Sequence, residues 1–157
     1  MTTTSSNVLH LFLKYLQTNG TPYCIVGNTD DFPEAIAGDV DIIIPQAKIK
    51  SLHLIMIAFC KENDFNLVQC LQHENNAFYY VIQWWQNNAP AFLKLDICGN
   101  YYRKAKLFLP ADALLSNPEE AKNVQGHAKG FLVPAPATEF IYYLLKKIDK
   151  GNLNKEQ

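Results

Sequence analysis

Apolar residues recur along this chain at two spacings, and these spacings separate the expected helices from the expected strands. Apolar residues three or four positions apart indicate helices, whereas short apolar or alternating runs between turn residues indicate strands. The expected helical segments are residues 7–19, 47–62, 111–115 and 136–150, and Ser6 or Asn7 is expected to cap the first. The expected strands are residues 23–26, 39–44, 65–71, 77–85 and 91–98. Short connections between the last three strands favour antiparallel pairing.

The same spacing predicts which helix faces are buried and which segments are irregular. Each long helix is expected to bury one apolar stripe. The stripe residues are Val8, Leu11, Phe12, Tyr15 and Leu16 on the first helix, Ile49, Leu52, Ile55, Met56 and Phe59 on the second, and Phe140, Ile141, Leu144, Leu145 and Ile148 on the last. Residues 107–109 are expected to form a short strand or an extended link, and residues 131–134 to be extended. The polar segment 116–130 is expected to be a loop or mobile flap.

The composition indicates a folded protein of one domain. The chain has 157 residues, of which 48% are hydrophobic and 18% charged, so a buried core is expected. We expect an α/β core over residues 6–134, a C-terminal helix over residues 135–150 and a polar tail over residues 151–157. The net charge of −1 disfavours a nucleic acid as the main partner, because proteins that bind long polyanions usually carry a basic excess.

The cysteines and the chain start bear on the expected location. The four cysteines show no C-x-x-C spacing, and three of them lie in apolar runs, which indicates free thiols in a reducing compartment. The first residues lack the basic and apolar regions of a signal peptide, and no apolar run is long enough for a transmembrane helix. We therefore expect a cytoplasmic protein with no membrane partner.

Two aspartates lie at the start of the β-branched run 39–44. Asp39 and Asp41 are two positions apart in a strand, so their side chains share one face while the aliphatic residues between them face the core. Two neighbouring like charges repel and lose hydration, and a divalent cation is the simplest group that offsets this penalty. A solvated strand edge or a turn is the alternative explanation of the pair.

A third aspartate lies in a later apolar strand. Asp96 shares a strand face with Lys94, whereas the opposite face of residues 91–98 is apolar. A carboxylate in such a strand is unfavourable by several kcal/mol unless it is paired or bound to a metal ion. The two hypotheses are therefore a metal ligand and a structural ion pair with Lys94.

Two other segments have residues suited to anions. The loop 27–33 begins with Gly27, which permits close backbone approach, and its amides could face an anion; an ordinary turn is the alternative. Residues 101–104, which include Arg103, form a basic aromatic patch that could hold phosphates or a sugar ring. Solvated residues at the rim of the fold are the alternative there.

These motifs together resemble the nucleotidyltransferase superfamily typified by DNA polymerase β. The matching features are a strand followed by glycine (Val26-Gly27-Asn28), an acidic strand (Asp39-Val40-Asp41) and a third acid between apolar residues (Leu95-Asp96-Ile97). Residues 26–33 with 38–44, and residues 133–134 with 139–147, are similar to small nucleotidyltransferase-like domains of bacterial surface-polysaccharide gene clusters. With the strand pattern, the resemblance implies an α+β fold whose mixed, mostly antiparallel sheet has about five strands, with helices packed on one face.

The resemblance also implies an activity, a cofactor and site residues. It implies transfer of a nucleoside monophosphate from a nucleoside triphosphate such as ATP to a hydroxyl of an unidentified small molecule or protein. Two Mg²⁺ or Mn²⁺ ions would lie about 3.5–4 Å apart at the catalytic acids. The implied catalytic and metal-binding residues are Asp39, Asp41 and Asp96, and the implied nucleotide-binding residues are Gly27, Asn28, Lys94 and Arg103.

Two alternatives to an active enzyme stay open. Asn28 stands where the superfamily usually has serine or glycine next to the triphosphate. A non-catalytic binding or regulatory module that keeps the fold is therefore the second hypothesis. In the third, the three aspartates are only structural partners of Lys94 and Arg103.

Overall fold

The computed structural model describes residues 3–149, and these contain four α-helices and nine strands. The helices are α1 (Ser5–Thr18), α2 (Leu52–Glu62, preceded by a 3₁₀ helix, Gln46–Ser51), α3 (Ala111–Leu114) and α4 (Pro136–Asp149). The strands are β1 (Cys24–Val26), β2 (Asp39–Ile43), β3 (Asn66–Glu74), β4 (Ala77–Gln86), β5 (Ala89–Cys98), β6 (Tyr101–Arg103), β7 (Lys106–Leu109), β8 (Glu119–Lys122) and β9 (Ala128–Val133). The tail predicted over residues 151–157, and Lys150, lie outside the described residues.

The main sheet has five strands in the order β1-β2-β5-β4-β3. Only β2 and β5 are parallel, whereas the other three neighbouring pairs are antiparallel. The predicted α+β class, with a mixed and mostly antiparallel sheet, is therefore confirmed. Strands β3, β4 and β5 follow one another along the chain as antiparallel neighbours, as their short connections indicated. The turn between β4 and β5 is formed by Asn87 and Asn88, both at positive φ, a conformation that asparagine tolerates well.

The larger core lies between one face of this sheet and helices α1 and α2. Strand residues Val40, Ile42, Leu95 and Ile97 are buried there, as their alternation predicted. Helix α2 and the 3₁₀ helix before it bury the predicted stripe, with Ile55 only partly covered. This packing fixes which strand face is apolar, so the intervening polar side chains of β2 and β5 must lie on the opposite face.

Helix α1 begins earlier than the sequence indicated. Its cap is Thr4, whose Oγ1 accepts a hydrogen bond from the Asn7 amide while the Thr4 amide donates to Asn7 Oδ1. The predicted caps were therefore wrong, because Asn7 acts from within the first turn as the reciprocal partner. Leu11 is exposed and Leu9 is buried instead. Apolar residues occur on both sides of this helix, so spacing alone did not identify the buried side.

A smaller apolar cluster lies on the opposite face of the sheet. Residues of β1 and β2 pack there against α3, β7 and α4: Cys24, Val26, Ile43, Leu109, Ala111, Leu114 and Tyr142. Helix α4 buries Tyr142, whereas four of the five residues of its predicted stripe are exposed. The prediction was wrong for those four residues, whereas Leu145, the fifth, packs against this cluster beside Tyr142. The reason is that α4 has apolar residues on two sides.

Residues 116–130 contain structure where a loop or flap was expected. Strands β8 and β9 pair as an antiparallel hairpin. The Asn123 side chain accepts hydrogen bonds from the amides of Gln125 and His127, and Gly126 adopts positive φ. Hydrogen bonds in the turn therefore stabilise this hairpin. Its side chains are mostly exposed, so the sequence has no alternation of apolar and polar residues that would predict the two strands. None of the helices in residues 3–149 has both the length and the apolar character needed to cross a membrane.

Candidate functional site

Three carboxylates converge on the sheet face opposite the larger core. Each of Asp39, Asp41 and Asp96 has an oxygen atom that lies within 4.8 Å of the corresponding atoms of the other two. The parallel pairing of β2 with β5 places Asp41 directly beside Asp96, and Asp39 lies two residues earlier on the same face. The sheet register therefore brings together the three acids that the sequence singled out.

Asp41 lies at the centre of this group and is the acid most affected by its surroundings. Burial raises the pKa of the Asp41 carboxyl, and the neighbouring Asp96 and Asp39 raise it further, while Lys146 lowers it. The ammonium group of Lys146, on α4, lies 3.7 Å from Asp41 Oδ2 and 4.9 Å from the centre of the Tyr142 ring. A cation therefore already compensates part of the acidic charge without any metal ion.

Asp96 is paired with a residue that the sequence reasoning missed. His73 Nε2, at the end of the edge strand β3, is 2.9 Å from Asp96 Oδ1. Lys94, the partner considered from sequence, is exposed on β5 and aligns with Asp39 across the parallel pair. In residues 3–149 the basic side chains that contact these acids within 4 Å are those of His73 and Lys146. Neither could be found from spacing, since the first contact depends on where β3 lies relative to β5 and the second on where α4 lies relative to β2.

The loop after β1 approaches the acids through its glycine. Gly27 has a φ of +95°, and a Cβ atom at this position would lie 3.2 Å from Asp41 Oδ2. Asn28 is exposed, and its Oδ1 accepts a hydrogen bond from the Asp30 amide, so its side chain shapes the loop itself. Gly27 thus leaves the room that the Asp41 carboxylate occupies.

Lys129 of β9 holds the same loop from a distance in sequence. Its Nζ donates hydrogen bonds to the carbonyl oxygens of Thr29, at 2.8 Å, and Asp30, at 2.6 Å. The Lys129 carbonyl is in turn 3.2 Å from the His10 ring of α1. The segment expected to be a flap therefore braces the loop beside the acids. A lysine in a polar segment gave no sequence signal for this role.

One cavity contains two of the acids, and two others lie beside it. A narrow cleft of about 110 Å³ contains Asp41, Asp96, His73 and Lys146. A cavity of about 460 Å³ lies along Gly27–Asp30 and is also lined by Glu139 and Tyr143 of α4. A third cavity, of about 520 Å³, shares the wall residue Glu74 with the narrow cleft and is lined by Arg103 among others. Arg103 is ion-paired with Asp149, so it lies beside the cleft of the acids and not within it.

Comparisons with known proteins support the fold. No family model matches the chain, and no curated protein matches it. The crystal structure of "putative nucleotidyltransferase from H. pylori" superposes with a TM-score of 0.50 at 17% identity, covering 89% of this chain and 56% of that one. JHP933 from Helicobacter pylori gives a TM-score of 0.47 at 15% identity, covering 87% of this chain and 53% of that one. This chain thus spans a little over half the length of those proteins, and it has a nucleotidyltransferase-like fold.

Proposed function

We propose that this protein is a metal-dependent nucleotidyltransferase that moves a nucleoside monophosphate from a nucleoside triphosphate to a hydroxyl group. The observation that carries the proposal is the convergence of Asp39, Asp41 and Asp96 within 4.8 Å on one sheet face. Carboxylates that repel one another and lose hydration are unfavourable in a purely structural role. The same arrangement is favourable when the acids act together as ligands.

The chemistry of these three side chains fits a divalent cation such as Mg²⁺ or Mn²⁺. All the donor atoms are hard carboxylate oxygens, and the residues are held by two strands hydrogen-bonded to each other. When bound, such a cation would lower the pKa of an acceptor hydroxyl and neutralise charge on the phosphates. His73 would orient Asp96 from outside the ligand set, as hydrogen-bonded partners of metal ligands commonly do.

The reaction requires one bond to form and one to break at the α-phosphorus. The acceptor oxygen attacks the α-phosphorus, and the bond from that phosphorus to the bridging oxygen breaks, releasing pyrophosphate. The proton of the acceptor hydroxyl passes to the carboxylate of Asp96, the acid that contacts His73. Lys146, 3.7 Å from Asp41, is placed to donate a hydrogen bond to a phosphate oxygen when a nucleotide occupies the cleft. Gly27 keeps the loop backbone close enough for its amides to contact the triphosphate.

A specific observation favours the second hypothesis, a non-catalytic binding or regulatory module. The cavity beside Gly27–Asp30 includes the acids Asp30 and Glu139, and none of the described residues lining it is a lysine or arginine. Lys129, which contacts this loop, is bonded to two backbone carbonyls. A triphosphate there would gain little electrostatic stabilisation from the protein.

Label transfer distinguishes the two hypotheses. The protein is incubated with radiolabelled nucleoside triphosphates, Mg²⁺ and a cell lysate, and labelled products are separated by size. We expect a labelled product with wild type and with Asp112→Asn, an exposed aspartate on α3, and none with Asp39→Asn or Asp41→Asn. Absence of transfer by wild type, together with nucleotide binding that does not depend on Asp41, would favour the binding module.

A further inference from the structure

The cleft that holds the acids is too small for both substrates of a transfer reaction. Its volume of about 110 Å³ is well below the ~300–1,000 Å³ that is usual for a small-molecule site, whereas a transfer reaction needs room for a nucleotide and an acceptor together. The nucleotide and the acceptor must therefore extend into the cavities on either side. One of these follows the loop at Gly27, and the other opens where the β3–β4 turn meets the β6–β7 turn.

The second of these cavities has walls suited to hydroxyl groups. Its volume of about 520 Å³ lies within the range of ~300–1,000 Å³ that is usual for small-molecule sites. It is lined by the side-chain amides of Gln46, Asn75 and Asn76 and by the exposed ring of Tyr102. The hydrogen bonds within the fold leave Gln46 Nε2 as a donor and Asn76 Oδ1 as an acceptor, and the Asn75 amide adds one of each, all without charge. Such a set matches a hydroxyl group, which both donates and accepts.

The charges around this cavity balance one another. Glu74 and Lys104 have opposite charges, and the guanidinium group of Arg103 is ion-paired with Asp149. The cavity therefore has no excess of either sign that would select an anion or a cation. A neutral, polar ligand is favoured over a second phosphate group.

The amides of Gln46 and Asn76 are held in place by hydrogen bonds within the fold. Gln46 Oε1 accepts from the Asn100 amide at 2.8 Å and from Asn76 Nδ2 at 3.4 Å, and Asn76 Nδ2 also donates to the Asn100 carbonyl. A Cβ atom at Gly99 would lie 2.3 Å from Gln46 Oε1, so a glycine is required for this arrangement. Side chains fixed in this way lose little conformational entropy when a ligand binds.

We propose that this cavity binds a neutral polyhydroxylated ligand, such as a pyranose sugar, and presents one of its hydroxyl groups to the three aspartates as the acceptor. The Tyr102 ring contacts the apolar face of the sugar, and the amides contact its hydroxyls. The shared wall residue Glu74 places this ligand next to the cleft of Asp41 and Asp96. The role as acceptor rests on the proposed function, whereas binding of the sugar does not.

Saturation-transfer NMR with methyl glycosides of glucose, galactose, mannose and N-acetylglucosamine tests the site. We expect at least one glycoside to bind wild type, and Tyr102→Ala to weaken its binding by about tenfold, the contribution of one aromatic contact. Tyr102→Phe keeps the ring and should retain binding. Phe108→Ala, which removes another exposed aromatic ring from the β6–β7 hairpin, is the matched control and should leave binding unchanged.

The outcomes separate this proposal from the proposed function. Absence of binding by every glycoside, or equal binding by wild type and Tyr102→Ala, would overturn the sugar site. Binding of a nucleoside is measured in the same way. If Tyr102→Ala loses it, the cavity holds the base of the nucleotide, and the sugar site is also overturned. If wild type binds a glycoside through Tyr102 and yet transfers no label from a nucleotide, the sugar site stands and the transferase activity fails.

Discussion

Replacing Gly27 by alanine should have two effects that can be measured separately. Backbone strain should lower thermal stability, and a contact with Asp41 should weaken metal binding. Alanine at a φ of +95° is strained by about 1–2 kcal/mol, and the loss of unfolded-state freedom offsets part of this, leaving a net destabilisation of about 1 kcal/mol. For a chain of this size that corresponds to a fall in Tm of about 2–4 °C. The added methyl group would also lie 3.2 Å from Asp41 Oδ2, a few tenths of an ångström too close.

The second effect should appear in metal binding. Asp41 must move to relieve the contact, and displacing a ligand through a neighbouring residue typically weakens metal binding about tenfold or more. Gly126→Ala is the matched control, because Gly126 has a φ of +83° and open space around the added Cβ. We expect both variants to lose similar thermal stability, measured by circular dichroism, and only Gly27→Ala to lose Mn²⁺ affinity, measured by calorimetry.

Two results would refute this reasoning. Equal Mn²⁺ affinity in Gly27→Ala and wild type would mean that Asp41 is not a metal ligand, or that the loop shifts and Asp41 keeps its position. An equal loss of affinity in Gly126→Ala would mean that general destabilisation, and not the contact with Asp41, weakens metal binding.

Three further predictions concern the same surface. Lys146→Met should tighten Mg²⁺ binding about two- to fivefold in calorimetry, because an ammonium group 3.7 Å from Asp41 competes with the ion; unchanged affinity would contradict this. In EDTA, Asp41→Asn should raise Tm at neutral pH, and the gain should vanish at acidic pH. Burial raises the pKa of the Asp41 carboxyl, so its negative charge destabilises the native state only above the ordinary pKa of an aspartate. A rise in Tm that did not depend on pH would exclude the Asp41 charge as its cause. Lys129→Met should speed hydrogen exchange of the amides in residues 28–32, while Lys129→Arg should largely retain their protection. Equal exchange in wild type and Lys129→Met would show that Lys129 does not hold this loop in place.

The strand pattern was sufficient to place the three acids on one surface. Alternation within residues 39–44 and 91–98 determined the faces of Asp41 and Asp96, because the apolar residues between them had to be buried. The sequence did not contain the sheet order, and so it could not show that β3 lies close enough for His73 to reach Asp96. That contact arises from pairing between elements, which local spacing does not encode.

The last helix shows why the remaining part of the site was missed. Spacing favoured the strongly apolar side of α4, which includes Phe140 and Leu144, yet the helix contacts the sheet through Tyr142. The buried side of α4 is therefore the side that also carries Lys146, four residues later. Periodicity identifies the more hydrophobic side of a helix, and here only Leu145 from that side packs beside Tyr142.

The parallel pairing of β2 with β5 has a consequence for how the protein tolerates change. Adjacent strands are held about 4.8 Å apart by their backbone hydrogen bonds, so the separation of Asp41 and Asp96 is set by the main chain and not by any loop. Altering the length of the β3–β4 turn, whose residues Asn75 and Asn76 line the neighbouring cavity, would remodel the walls beside the acids and leave their spacing intact. A slip of one residue in β5 would instead point Asp96 into the apolar interior. The walls of the neighbouring cavity can thus vary in this architecture, while the spacing of the acids is set by the backbone.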